Sequence, residues 1–309
     1  MFFRILILST VSALLSGAVP LHISCLTEKG NYTGHEKFKT NLDRLLDDLS
    51  SNTTRNASQP GFYEASIGDF PDKVYGQALC RGDVDSTVCK NCVQSSSRYI
   101  FGHCESIDAI VWYELCQVRY SSEMFSGMQV YTGKYPDHNV REKEIASNRN
   151  RFSKVLMLLM NEVSNEAAFN LSRNMFATGE TEFSKGKIVY GLSQCTRDII
   201  PGDCRSCLNS AITELGKCCS SRQGGIILSQ SCNLRFQLYQ FYNITSNSHS
   251  TYSFPKGTHF YRFLVFAHNH LYASNLSFCW TKKFEINHVV YSNLMLKKRY
   301  VSKSLSYLV

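Results

Sequence analysis

Apolar residues fall at Phe38, Leu42, Leu45, Leu46 and Leu49 with polar residues between them. The spacing i, i+4, i+7, i+8, i+11 places all five on one stripe of an α-helix. The same stripe returns 114 residues later as Phe152, Leu156, Leu159, Met160 and Val163. The pattern therefore predicts amphipathic helices over about residues 36–50 and 147–165. A second helix in each half is marked by its start signals. Asp85 or Ser86 can cap exposed N–H groups, and the fixed φ of Pro201 suits a first helical turn. On these helices Cys89, Cys92 and Val93 share one face, as do Cys204, Cys207, Leu208 and Ala211. Segments Ala109–Tyr120 and Gly225–Tyr242 are rich in Val, Ile and aromatics and read as adjacent strands, the last pair of an antiparallel sheet. The class predicted is α+β, two helices on a sheet in each half.

The repeat extends to the cysteines. Cys80, Cys89 and Cys92 recur 115 residues later as Cys195, Cys204 and Cys207, and Cys116 recurs 116 later as Cys232. Tyr75-Gly76 and Tyr190-Gly191 precede the first cysteine of each set by the same distance, and Arg119 and Phe125 match Arg235 and Phe241. A single repeat of this length means a duplicated domain, not a solenoid.

Ahead of both copies, Met1 to Arg4 is followed by an almost unbroken apolar run, Ile5–Leu15, and then by Ser16, Gly17 and Ala18. One positive charge, a short apolar core and a small-residue exit predict a signal peptide over residues 1–21. The run is too short for a membrane anchor, and no later stretch reaches spanning length. The secretory route gives meaning to six Asn-x-Ser/Thr triplets, at Asn31, Asn52, Asn56, Asn170, Asn243 and Asn275.

The chain has 309 residues, 13 Cys, 33 Lys plus Arg and 25 Asp plus Glu, a formal charge of +8. Low charge with many cysteines suits an extracellular protein. The positive excess is local: residues 246–309 hold 8 basic and 1 acidic residue, leaving 25 against 24 in residues 1–245. The two repeats are thus nearly neutral, and no nucleic-acid partner is expected.

The thirteen cysteines allow three chemistries. A zinc site within either copy would need a second C-x2-C pair in that copy or a His placed alike in both, and neither is present. A reactive thiol would need a base beside it, and no His is placed alike in the two copies. Disulfides are the default, although spacing alone leaves 15 connectivities open to six cysteines. No metal and no cofactor is expected. No phosphate loop, G-x-S-x-G elbow or H-E-x-x-H occurs, and Asp47 and Asp48 fall on the polar side of the first helix, so no enzyme is expected.

CRGDVDSTVCKNC (Cys80 to Cys92) with AIVWYELCQVRYSSEMF (Ala109 to Phe125), and CTRDIIPGDCRSC (Cys195 to Cys207) with CCSSRQGGIILSQSCNLRFQLYQFYN (Cys218 to Asn243), resemble two tandem ginkbilobin-homologous domains. That module occurs in plant cysteine-rich repeat secretory proteins and in the ectodomains of cysteine-rich receptor-like kinases. The resemblance implies two helices on a five-stranded antiparallel sheet in each domain. It implies the disulfides Cys25 with Cys104, Cys80 with Cys89, Cys92 with Cys116, Cys195 with Cys204, and Cys207 with Cys232. Cys218, Cys219 and Cys279 stay unassigned, since the second copy lacks a counterpart of Cys25 and adjacent cysteines bridge poorly.

Some relatives of this kind bind mannose through an Asn after the first cysteine, an Arg six residues before the last cysteine and a Glu five after it. Carried over, these fall on Leu26, Ile110 and Ser121 in the first copy and on Ile226 and Gln237 in the second, where Gln237 alone keeps hydrogen-bonding capacity. Trp112 and Tyr113, and Tyr239, Phe241 and Tyr242, are further candidates for recognition, with alternation sending about half to the core.

The expected organisation is a signal peptide (1–21), domain 1 (22–126), a linker (127–146), domain 2 (147–245) and a basic tail (246–309). The expected function is a secreted, non-enzymatic binding module for a carbohydrate or cell-surface protein in plant defence, or alternatively a soluble fragment of a receptor-kinase ectodomain. Its location would be the apoplast.

Overall fold

A computed structural model describes residues 19–56, 58–133, 143–145, 148–170, 174–244 and 249–254. Residues 19–253 lie within one compact unit. Residues 1–18 of the predicted signal peptide, Cys279, Asn275 and most of the basic tail lie outside the described residues, whereas Leu21, placed inside that peptide, donates its N–H to the Trp112 carbonyl at 2.8 Å.

Domain 1 runs β1 (His22–Cys25), a 3-10 turn (Thr27–Lys29), α1 (Glu36–Asn52), β2 (Phe62–Ile67), β3 (Val74–Cys80), α2 (Ser86–His103), β4 (Asp108–Trp112) and β5 (Cys116–Ser121). Domain 2 repeats the later part as α3 (Arg149–Phe169), β6 (Phe176–Ser184), β7 (Lys187–Cys195), α4 (Pro201–Cys218), β8 (Gly224–Leu228) and β9 (Cys232–Gln237), then adds β10 (His249–Tyr252). Each domain is two helices on a five-stranded sheet, with strand orders β1-β4-β5-β3-β2 and β10-β6-β7-β9-β8. Every pairing is antiparallel except β10 with β6.

The helical stripes lie where the spacing put them: Phe38, Leu42, Leu45, Leu46 and Leu49 are buried, as are Phe152, Leu156, Leu159, Met160 and Val163. Asp85 caps α2, its side chain accepting from Thr87 N–H at 2.8 Å and Val88 N–H at 2.9 Å. Pro201 opens α4. The tight seat of α1 on the sheet explains Gly76, where an added Cβ would lie 2.8 Å from the Leu45 side chain.

Three observations depart from the sequence-based picture. The first helix of domain 2 extends to Phe169, four residues beyond the expected end at 165. Both ends of the linker belong to domain 2: Val130 and Ser231 exchange hydrogen bonds, and Ile145 and Gln223 donate to Ser221 and Lys143 carbonyls across from one another. The first residues of the tail also belong there, because β10 pairs with β6 over His249–Tyr252. The fifth strand thus comes from opposite ends of the repeat. Domain 1 takes β1 onto β4, whereas domain 2 takes β10 onto β6, the counterpart of β2.

The structure bonds Cys25 to Cys104, Cys80 to Cys89, Cys92 to Cys116, Cys195 to Cys204 and Cys207 to Cys232, with Cα separations of 5.5 to 6.0 Å. Cys218 and Cys219, unassigned from sequence, are joined to each other at a Cα separation of 3.7 Å. Without a partner equivalent to Cys25, the nearest thiol to Cys219 is its neighbour. Cys219 is the C-cap where the chain leaves α4, its N–H still bonded to the Leu215 carbonyl.

Candidate functional site

Side chains alternate across a strand, so the residues of β4 and β5 that do not face α1 and α2 should meet solvent. They do not: every residue of both strands is buried. The outer face of the first sheet is covered by the outer face of the second. Ile110 and Trp112 form one apolar cluster with Ile226 and Leu228, and Leu21 packs against it. Around this cluster Trp112 Nε1–H donates to the Ser229 carbonyl at 3.2 Å, Gln117 Nε2–H to the Gln230 carbonyl at 3.2 Å, and Gln194 Nε2–H to the Cys80 carbonyl at 2.9 Å. Asn233 donates to Gln117 at 3.1 Å. These last two are equivalent positions of the repeat, and Ile110 and Trp112 are equivalent to Ile226 and Leu228. Equivalent surfaces meeting each other make the contact a two-fold-like, self-complementary one within a single chain.

The polar rim repeats the symmetry. Past β5, the Gly127 N–H donates to Asp198 Oδ2 at 2.9 Å; past β9, the Asn243 N–H donates to Asp83 Oδ2 at 2.8 Å. Gly127 and Asn243 are equivalent, as are Asp83 and Asp198, each three residues after the first motif cysteine. Each domain therefore holds the strand exit of the other. Behind each exit an arginine lies over an aromatic ring, Arg119 at 3.9 Å from the Phe125 centroid and Arg235 at 4.4 Å from that of Phe241. Burial pushes Arg119 below the ordinary arginine range, while Asp108 and Asp198 oppose that shift.

One difference between the copies has a local cause. In CRGD, Arg81 stands two residues before Asp83 and forks onto it at 2.6 and 2.9 Å. In CTRD, Arg197 is adjacent to Asp198, so it turns away and donates to the Pro60 carbonyl of domain 1 at 2.7 Å. Burial pushes Arg197 down to about 10. Arg81 also reaches Glu114 at 3.1 Å, and Arg235 forms a second ion pair with the same carboxylate. Arg81, Glu114, Arg235, Trp112 and Phe241 help to line a cavity of about 40 Å³ between the domains, room for a water molecule and not for a sugar ring.

The positions inherited from the mannose-binding pattern are used structurally. Ile110 and Ile226 are in the interdomain cluster. The Ser121 hydroxyl donates to the buried Asp108 carboxylate at 3.0 Å, and Lys29 holds the same carboxylate at 3.2 Å and Glu123 at 3.0 Å. Lys29 is raised above the ordinary lysine range, first by its hydrogen bond to Glu123, against burial, with Asp108 adding to the rise. Gln237 is buried across from Gly224, where an added Cβ would overlap its amide. Leu26 is half-buried and donates its N–H to the Asp108 carbonyl. These residues do not converge on an open site.

Of the aromatic candidates, Trp112, Tyr113 and Tyr242 are buried, Phe241 is half-buried, and Tyr239 is 57% exposed. Asp47 is exposed, and Asp48 accepts from Tyr63 at 3.2 Å and Asn52 at 2.7 Å. Among the described residues no group of His, Cys, Asp and Glu has the arrangement of a metal site, and no helix is long and apolar enough to cross a membrane. Sequence reasoning missed the aspartate exchange, although its signal, Asp three residues after the first motif cysteine in both copies, was present.

The family model described as "Salt stress response/antifungal" matches residues 24–123 and again residues 138–239. The chain is 34% identical over 239 residues to cysteine-rich repeat secretory protein 38 of Arabidopsis thaliana, covering 77% of this chain and 92% of that protein. It is 35% identical over 237 residues to the antimicrobial ginkbilobin-2-like protein of Castanea crenata, covering 76% and 94%. It is also 36% identical over 221 residues to cysteine-rich receptor-like protein kinase 25 of Arabidopsis thaliana, covering 69% of this chain but 31% of the kinase. In structure it is similar to the tandem DUF26 ectodomain of the Arabidopsis thaliana cysteine-rich receptor-like protein PDLP8, with a TM-score of 0.58 and 21% identity over 72% of this chain and all of that one. With the duplicated cysteine motif, the duplicated fold and relatives matched over nearly their whole length, the chain belongs to the salt stress response/antifungal (DUF26) family, in its tandem form.

Proposed function

We propose that the protein is a secreted, non-enzymatic recognition module of the plant apoplast that binds a carbohydrate or a cell-surface protein during stress or defence. The observation that carries this reading is the reciprocal interdomain contact. Two disulfide-stapled domains hold each other through their sheet faces, which yields a preorganised body that loses little conformational freedom on binding. Because those faces and the inherited sugar positions are spent inside the molecule, a partner meets the rim and the outward helices. Exposed Tyr239 and the Glu114 carboxylate, 42% exposed between its two arginines, are the groups there suited to sugar or protein contact.

A glycan array of plant and fungal polysaccharides, probed with the secreted full chain, tests the reading. Binding that weakens on Tyr239→Ala supports the rim. Signal abolished by free mannose and retained in Tyr239→Ala would instead restore the inherited sugar positions.

A second reading is favoured by one observation: the receptor-like kinases match this chain over about a third of their length. On that reading the protein is a soluble ectodomain form that competes with a receptor for the receptor's ligand. It predicts that the chain and a kinase ectodomain displace one another from a common partner.

A further inference from the structure

The two domains close their sheets differently, and the difference leaves one strand edge open. In domain 2, β10 lies parallel on the outer edge of β6, with His249 beside Thr178 and Thr251 beside Glu180. The same edge in domain 1 belongs to β2. Gly76 and Gly191 are equivalent positions of the repeat, and they pair with Ala65 and Gly179. Glu64 and Ser66 of β2 therefore stand where Thr178 and Glu180 stand in β6, and no described strand lies on them.

The phase of the ladder says which backbone groups are left over. Cys80 N–H donates to the Gly61 carbonyl at 2.8 Å, and bonded pairs alternate along an antiparallel ladder. Tyr63, Ala65 and Ile67 thus turn their backbone groups toward β3, whereas Phe62, Glu64 and Ser66 turn theirs outward. Phe62 is satisfied by the loop before it, donating to the Gln59 carbonyl at 3.0 Å and accepting from Asn56 at 3.2 Å. Glu64 and Ser66 are exposed, and among the described residues nothing bonds their outward N–H and C=O groups. Such a row is a template for a further strand. Tyr63, Ala65 and Ile67 pack against the core of domain 1 yet are only half-buried, so an added strand would finish covering them.

The same hairpin carries a second feature. Phe70, three residues past the end of β2, is 93% exposed, the most exposed large apolar side chain among the described residues. The equivalent turn of domain 2 reads Lys185-Gly186-Lys187. The bare ring thus occurs on the hairpin whose edge is open and is absent from the hairpin whose edge is closed. An aromatic held out beside unpaired backbone supplies the anchor that strand addition otherwise lacks.

Two details restrict the occupant. At Gly179 an added Cβ would come within 2.6 Å of the Tyr252 ring of β10. Ala65 carries that Cβ in domain 1, so a ring in the place of Tyr252 is excluded and a small side chain is required there. Charge supplies the other restriction: Glu64, Asp69 and Asp72 lie on or just beyond the strand, and the adjacent Lys73 lies over the Tyr75 ring at 5.2 Å. Glu64 takes a hydrogen bond from the Ser126 hydroxyl at 2.9 Å, which leaves its charge unneutralised. Opposite charges on adjacent strands attract and like charges repel. We propose that the β2 edge binds an extended, basic segment of a partner protein, parallel to β2 as β10 is to β6, with Phe70 as its apolar anchor. This site goes beyond the rim described above, since neither Tyr239 nor Glu114 takes part in it.

Hydrogen exchange of the secreted, unreduced full chain reads the edge first. The Glu64 and Ser66 amides should exchange quickly and those of Thr178 and Glu180 slowly. A library of short random peptides displayed on phage is then selected on the same chain, and the enriched peptides are synthesised. They should be rich in Lys and Arg and should slow exchange at Glu64 and Ser66 when bound. Ser66→Pro removes an outward N–H without breaking a bond to β3, and Phe70→Ala removes the anchor from an exposed turn. Each should weaken peptide binding by about tenfold or more, and Tyr239→Ala should leave it unchanged. Protection of Glu64 and Ser66 in the free chain at every concentration would show the edge already covered and would overturn the proposal. Protection that grows with protein concentration overturns it in favour of a second copy. Failure to enrich any peptide, or binding that neither variant weakens, overturns it as well.

Discussion

Replacing Asp83 with alanine tests the reciprocal contact where it is most loaded. The carboxylate is fully buried, is forked by Arg81 at 2.6 and 2.9 Å, and accepts the Asn243 N–H at 2.8 Å. Truncating one partner of a buried ion pair costs about 3–5 kcal/mol, much of it from the charge left behind. Here Glu114, half exposed and 3.1 Å from Arg81, retains part of that neutralisation, so a cost of about 2–4 kcal/mol is expected. Asp198 is the control, because it has the equivalent backbone bond, from Gly127, without an arginine fork. Asp198→Ala should cost about 1.5 kcal/mol, the low end for a hydrogen bond to a charged group, with the loss of its attraction to buried Arg119 included. Asp83→Asn, which keeps an acceptor and loses the charge, should fall between them. The assay is denaturant unfolding followed by the fluorescence of Trp112, which sits in the seam. Equal costs for the two aspartates, or a cost below about 0.5 kcal/mol for Asp83→Ala, would refute the reasoning.

Other consequences follow from particular groups. Gly82→Ala would place a Cβ 2.3 Å from the Phe176 ring of domain 2; the expected outcome is a looser seam, read as faster amide exchange at Gly127 and Asn243. Burial is the largest cause holding the phenols of Tyr120 and Tyr242 well above the ordinary 10.0. A proton held more tightly in the folded state contributes stability that is complete below pH 10 and fades as pH rises further, so ultraviolet titration should show these two phenols ionising with unfolding. Twelve of the 13 cysteines are bridged in the structure. Alkylation of the secreted, unreduced chain in denaturant should therefore add at most one label, and two further labels on Cys218 and Cys219 would contradict that bridge.

The helices and the duplication were legible because both rest on local spacing: Phe38 to Leu49 and Phe152 to Val163 specify a stripe without reference to anything distant. The continuous apolar run Ala109–Trp112 also carried information, since a strand buried on both faces loses the usual alternation. What covers that second face was not legible. Gln117 and Arg119 are polar residues at outward positions, and by pattern they belong in water; the second domain accounts for them, through Gln230 and Asn233 at Gln117 and through Asp198 at Arg119. The strand β10 was missed for a different reason. Four residues, His249–Tyr252, are too few to show a period, and their pairing partner Phe176–Ser184 lies some 70 residues away. Gln237 failed as a site because a strand position says which face a side chain takes, not whether Gly224 opposite leaves room for it to lie flat and buried.

The most direct measurement is scanning calorimetry of the secreted, unreduced wild-type chain. Two domains that hold each other's strand exits and share the cluster of Ile110, Trp112, Ile226 and Leu228 should unfold in one transition, with calorimetric and van't Hoff enthalpies equal. Two separated transitions, each of about half the total enthalpy, would show that the domains fold independently and would contradict the reciprocal contact on which the proposed rigid recognition module rests.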